Sequence, residues 1–151
     1  MPGEDAKTIA GQAMLFEEFI AKEIDAKRFN LEFLPFEGAK ALLHGHCHQK
    51  SFAAMGAVQK VLKHIGLDVE VIESSCCGMA GSFGYQAETI DVSLAMAELS
   101  LLPAVRKATA ETIIIADGTS CRSQIEDNTN RRPEHVVQLL AKAVMMLHPP
   151  R

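Results

Sequence analysis

"DVEVIESSCCG", residues 68–78, is the stretch on which the fold turns. Val69, Val71 and Ile72 make a β-branched run, which suits a strand. The run gives way to two serines and then to the adjacent Cys76 and Cys77. Two other stretches are built in the same way. "KALLHGHC", residues 40–47, starts as a short apolar run and ends at Cys47, and "ETIIIADGTSC", residues 111–121, ends at Cys121.

Helical patterns lie between and around these runs. In "KSFAAMGAVQKVLKHIG", residues 50–66, Phe52, Met55, Leu62 and Ile65 share one helical face, and Gly66 sits where a helix C-cap belongs. Residues 88–108 read as a helix that is apolar nearly all round, with Pro103 as a kink or a restart. Such a helix is expected at the centre of the core; an exposed apolar patch on it would instead mark an interface with further domains. "RSQIEDNTNRR" (122–132) is polar and reads as a short exposed helix, and "PEHVVQLLAKAVMML" (133–147) as a final helix. Upstream, residues 8–28 read as one amphipathic helix, with Ile9, Phe16, Ile20 and Ile24 near helical spacing. "NLEFLPFEG" (30–38) is a loop broken by Pro35 and Gly38.

Strand–helix alternation of this kind predicts an α/β fold: three layers, a mostly parallel sheet of at least three strands with flanking helices, Rossmann-like. The apolar strand cores suit strands buried on both faces. The expected division is an N-terminal helical segment, residues 1–30, packing on an α/β domain spanning 38–148.

Each cysteine segment follows a strand and precedes a helix. In a parallel sheet all strand carboxyl ends lie on one edge, where ligands of open α/β sheets bind. The fold should therefore gather Cys47, Cys76, Cys77 and Cys121, and nearby helix starts would favour thiolates.

Composition narrows the chemistry. The chain has 151 residues, 48% hydrophobic and 23% charged, the balance of one soluble domain. A net charge of -4 gives no footprint for nucleic acid, and one Tyr with no Trp gives no stacking platform. No run approaches a membrane span. The start, "MPGEDAKTIA", has neither a basic nor an apolar stretch, so no signal peptide is expected and the setting reads as cytoplasmic. Clustered cysteines there point to metal or catalysis rather than disulfides, and adjacent Cys76 and Cys77 bridge each other poorly. Cysteines as small buried hydrophobes are the plain alternative.

Thiolate-rich sites select iron–sulfur clusters, zinc or copper(I). Neither paired C-x2-C knuckles nor a ferredoxin-type cysteine run is present. The loop "GMAGSFG" (78–84) supplies Gly78, Gly81 and Gly84, which let backbone N–H groups approach cluster sulfur or simply make a tight turn. It lacks the Lys-Ser/Thr of a phosphate loop. His44, His46 and His48 alternate, so an extended backbone would point them to one side. There they could ligate iron or zinc, or hydrogen-bond to cluster sulfur; His46 and His48 flank Cys47. His64 and His135 lie in helical patterns and read as surface or structural residues. Asp117 could accept a proton or cap the helix that follows it.

"HGHCHQKS" (44–51), "ESSCCGMAGSFGY" (73–85) and "ADGTSCRSQI" (116–125) together resemble the cysteine-rich CCG domain. That domain occurs in one of the subunits of heterodisulfide reductase and in the iron–sulfur part of glycolate and D-lactate oxidising enzymes. The wording is most similar to the C-terminal end of large FAD-linked oxidases of D-2-hydroxy acids. The resemblance covers about residues 40 to 145. It implies a domain of a longer flavin and iron–sulfur protein, in which electrons pass from reduced flavin through iron–sulfur centres to an acceptor.

Cys47 matches the first family cysteine, Cys76 and Cys77 the vicinal pair completed by Gly78, and Cys121 the first member of a closing C-x-x-C. Gln124 stands where the second member belongs. Family members with five cysteines can hold a non-cubane cluster. Four thiols would complete an ordinary all-cysteine set, such as that of a 4Fe-4S cluster, or recruit His46 or His48. The FAD-binding and ferredoxin-like regions would lie outside these residues, as partners within the full-length protein. The domain alone is expected to be inactive, and peripheral to the inner membrane at most through partners. Two other readings stay open: a structural zinc-binding module, and a dithiol redox domain using Cys76 and Cys77.

Overall fold

The computed structural model describes residues 3–147. Positions 1 and 2 of the N-terminal segment, and position 148 of the α/β domain, lie outside the described residues. Three strands form one parallel sheet: β1 (Lys40–His44), β2 (Asp68–Val71) and β3 (Ile113–Ala116), in the order β2-β1-β3. β1 is central, with Leu42 opposite both Glu70 and Ile114 and Leu43 opposite Val71 and Ile115. The segment around Glu134 extends the sheet beyond β3. Its N–H donates to the Ile114 carbonyl at 2.8 Å, and its own carbonyl accepts from Ala116 N–H at 3.0 Å.

Period-2 geometry sends alternate side chains to opposite faces. Ala41, Leu43 and Ile115 join one apolar cluster with Val58, Val61, Leu62 and Leu139; Leu42 and Ile114 join a second with Leu101, Val105 and Ile125. The first face carries α2 (Phe16–Asp25), α4 (Met55–His64) and α8 (Val136–Leu147), and the second carries α6 (Leu101–Lys107) and α7 (Thr119–Asn128). This is the expected three-layer α/β architecture.

Several elements differ from their sequence reading. The helix expected over residues 8–28 is two helices, α1 (Glu4–Gln12) and α2, because the chain restarts at Leu15, whose N–H donates to the Glu18 carboxylate at 2.7 Å. α1 buries none of its residues, whereas α2 places Ile20 and Ala21 against α4.

The apolar stretch 88–108 is likewise two helices, α5 (Ile90–Glu98) and α6, with Pro103 in the first turn of the second. A proline is tolerated there because the first-turn N–H groups have no helical acceptor. Only α6 is a core helix. α5 buries just Ser93 and Ala97, and Val92 and Leu99 are exposed, so the central-core expectation fails for α5. The polar stretch after Cys121 belongs to α7, which buries Gln124 and Ile125 rather than lying wholly exposed. No helix among the described residues is long and apolar enough to cross a membrane.

Candidate metal centre

β1 ends in His44, a fully buried imidazole. Its Nδ1 lies 2.9 Å from Ser74 Oγ, while its Nε2 is buried without a hydrogen-bond partner among the described residues. Cys77 and Cys121 come to the same place from the loop after β2 and from the first turn of α7. Their sulfurs are 3.4 Å apart, and the ligand atoms of His44, Cys77 and Cys121 all lie within 4.8 Å of one another.

The Cys121 S–H donates to Cys77 Sγ. That bond, aided by the Met79 N–H, outweighs burial and holds the Cys77 thiol down to about 4. The same bond, and then burial, pushes Cys121 up. Within the pair, Cys77 is the more acidic thiol. The His44 ring pulls Cys77 in the same direction by proximity, although Nε2 meets no partner at hydrogen-bond geometry.

Cys47 and Cys76 form a second, half-buried pair. Burial, and then its hydrogen bond with Cys76, raises the Cys47 thiol. Cys121 in turn feels the charge of Cys77, Cys47 and Cys76, so all four sulfurs share one electrostatic neighbourhood. Cys76 and Cys77 are adjacent in sequence but face different partners: Cys76 meets Cys47, and Cys77 meets Cys121.

The glycine loop supports this arrangement at one point. Gly78 donates its N–H to Cys76 Sγ at 3.3 Å, and its φ of 91° favours glycine. A Cβ there would meet the Ser93 carbonyl oxygen at 2.2 Å. Gly81 lies further along the loop, exposed, with φ 68°. α5 begins only at Ile90, so no helix start directly follows Cys77.

The three histidines do not line one side, because the strand ends at His44 and the chain turns into α3 (Cys47–Ser51) from Cys47 on. His46 becomes its N-cap, with Nδ1 accepting from His48 N–H at 3.3 Å; burial, followed by the neighbouring His48, holds its pKa below the usual range. His48 is exposed, edge-on to His46 at 4.9 Å between ring centres. His46 still borders the sulfurs: a Cβ on Gly118 would meet His46 Cδ2 at 2.3 Å and Cys121 Sγ at 2.9 Å. His44 is the imidazole among the buried thiols, and its position as the last residue of an apolar run was the available signal.

Further residues fix the site. Gln124, in the missing-cysteine position, is buried and donates to the Cys77 carbonyl at 2.9 Å and to Ser93 Oγ at 3.1 Å. Lys50 donates to the carbonyls of Ser74 and Ser75 at 2.6 and 2.8 Å, pinning the loop ahead of the vicinal cysteines. Gln49 joins α3 to β3, accepting from His46 N–H at 2.9 Å and donating to Asp117 Oδ2 at 2.6 Å. Asp117 does cap a helix, but α8 rather than α7, accepting from Val136 N–H at 2.9 Å. His64 is exposed and packs edge-on against Phe29 and Phe33. A cleft of about 410 Å³ at the opposite sheet edge, lined in part by Lys40, Asp68 and Lys107, carries no thiol or imidazole.

The chain is similar to known dehydrogenase proteins over most of its length. It is 30% identical over 142 residues to one of the subunits of the anaerobic glycerol-3-phosphate dehydrogenase of Escherichia coli K12, covering 93% of this chain and 35% of that protein. It is 30% identical over 104 residues to D-2-hydroxyglutarate dehydrogenase of Pantoea ananatis, covering 68% of this chain and 10% of that protein. It is 28% identical over 134 residues to D-2-hydroxyglutarate dehydrogenase of Escherichia coli K12, covering 87% of this chain and 13% of that protein. The chain thus spans about a third of the first relative and about a tenth of the others. No family model and no solved structure matches it.

Proposed function

We propose that the chain is a CCG-type electron-transfer domain of an oxidoreductase, in which Cys47, Cys76, Cys77 and Cys121 hold an iron–sulfur cluster. The observation that carries this is the gathering of all four sulfurs at one sheet edge, beside a His44 Nε2 that has no hydrogen-bond partner among the described residues. A buried polar atom without a partner is costly, and ligation would satisfy it. The donor set fits: three buried donors, with the Cys47–Cys76 pair in the same electrostatic neighbourhood. The likeness to parts of proteins named dehydrogenases supports a redox role. All four cysteines are free, which suits a reducing, cytoplasmic setting.

When bound, an iron–sulfur cluster supplies a one-electron relay. This chain's own residues would set its environment. The Gly78 N–H points at one sulfur, His46 edges the centre with His48 stacked edge-on outside it, and Gln124 fixes the vicinal cysteines through a backbone carbonyl. Gly81 would keep the loop's turn beside the site. FAD, the ferredoxin-like centres and the oxidation of a D-2-hydroxy acid would belong to other regions of the full-length protein, leaving this domain inactive alone.

A second reading is a single zinc ion on His44, Cys77 and Cys121. The 3.4 Å sulfur spacing favours it, being near the roughly 3.8 Å that Zn–S bonds of about 2.3 Å give in a tetrahedron. Iron, acid-labile sulfide and zinc, counted per chain in anaerobically prepared protein together with absorption near 400 nm, separate the two. Iron with sulfide and a visible band is the expected result. Zinc alone, colourless, supports the second reading, and no bound metal after reconstitution overturns both.

A further inference from the structure

We infer that Glu17, Asp117 and His135 form a second metal site, for a divalent first-row cation that prefers oxygen and imidazole ligands. The three residues come from separate parts of the chain: the start of α2, the residue after β3, and the residue before α8. One ligand atom from each lies within 4.8 Å of the others. They line a cleft of about 340 Å³ on the thiol-bearing edge of the sheet.

Glu17 points to a missing partner. The residue is buried, with 5% of its surface exposed. Among the described residues it makes no hydrogen bond to any other residue. No lysine or arginine lines the cleft. The guanidinium of Arg122, on α7, is spent on the carbonyls of Ala116 and Asp117 and on Thr119 Oγ1. Two carboxylates thus face one another with no lysine or arginine beside them and only the His135 imidazole near, its Nδ1 3.5 Å from Asp117 Oδ1 and accepting from the Val137 N–H, which is unfavourable in a partly dry cleft.

Asp117 is held in place: Gln49 donates to Oδ2 and the Val136 N–H to Oδ1. An ionised carboxylate has about four lone-pair positions, so each oxygen keeps one for a metal. Such fixed outer contacts are what orient metal-ligating carboxylates. Carboxylate with imidazole, and no sulfur, suits Mn²⁺, Fe²⁺ or Zn²⁺.

Mn²⁺ is the probe, because thiolates compete poorly for it. The 151-residue chain is freed of metal and titrated with Mn²⁺, with free ion read by its electron paramagnetic resonance signal. One Mn²⁺ per chain is expected in the wild type and in Cys77→Ser. Glu17→Gln should weaken binding at least about ten-fold, with an unchanged circular dichroism spectrum. If Glu17→Gln does not fold, His135→Gln decides in its place. The inference is overturned by no stoichiometric Mn²⁺ in the wild type. Unchanged affinity in the folded variant, or loss of binding in folded Cys77→Ser, overturns it equally.

Discussion

Burial and ionisation pull the cysteines in opposite directions. Cys77 is the more acidic thiol of its pair, yet only 3% of its surface is exposed, and Cys121 shows 1%. Cys47 and Cys76 are half-buried. A reagent must reach sulfur before thiolate character counts, so access decides the rate in the metal-free protein. Iodoacetamide should therefore modify Cys47 and Cys76 at least about ten-fold faster than Cys77 and Cys121, as read by peptide mass spectrometry over time. Cys77 reacting first would show that the pair opens readily. The four thiols were legible as a group, because each stood after an apolar run. His44 was less so: as the end of a strand it reads as core, and only the fold brings it against Cys77 and Cys121. Gln124 reads as a lost cysteine, but its contact with the Cys77 carbonyl needs α7 packed against the loop.

At the scale of elements, strands were easier to read than helix boundaries. β-branched runs such as Ile113–Ile115 fix β3 directly, while long amphipathic patterns concealed two breaks. One break, at Leu15, depends on the Glu18 carboxylate reaching back to a backbone N–H. The other, between α5 and α6, is braced by Arg106, which donates to both Glu98 oxygens at 2.8 and 2.7 Å. The apolar count along 88–108 could not show that α5 lies on the surface, because that depends on where the loop after Cys77 enters.

The Arg106 guanidinium holds the Glu98 carboxyl below its usual value of 4.5. A carboxyl lowered on folding stabilises the native state above its unfolded pKa, and that stabilisation is lost as pH falls through its folded pKa. Glu98→Gln should therefore melt below the wild type at pH 7, by a small margin typical of exposed pairs, and the gap should be smaller at about pH 3. A gap of the same size at both pH values would assign the difference to something other than the ion pair.

For the whole molecule, a three-stranded parallel sheet does the gathering. With β1 in the middle, the ends of all three strands sit side by side, and segments remote in sequence meet at one edge. That logic was readable from strand–helix order alone. The cluster of Glu17, Asp117 and His135 was not, because Glu17 reaches the same edge only through the packing of α2 on α4. The central claim is that this edge is a metal centre built on Cys77 and Cys121. X-ray absorption at the edge of the metal retained by anaerobically prepared protein tests it most directly. The account predicts a shell of sulfur at about 2.3 Å that is lost or depleted when Cys77 and Cys121 are replaced by serine. A shell of oxygen and nitrogen alone, or a sulfur shell indifferent to those two replacements, would contradict it.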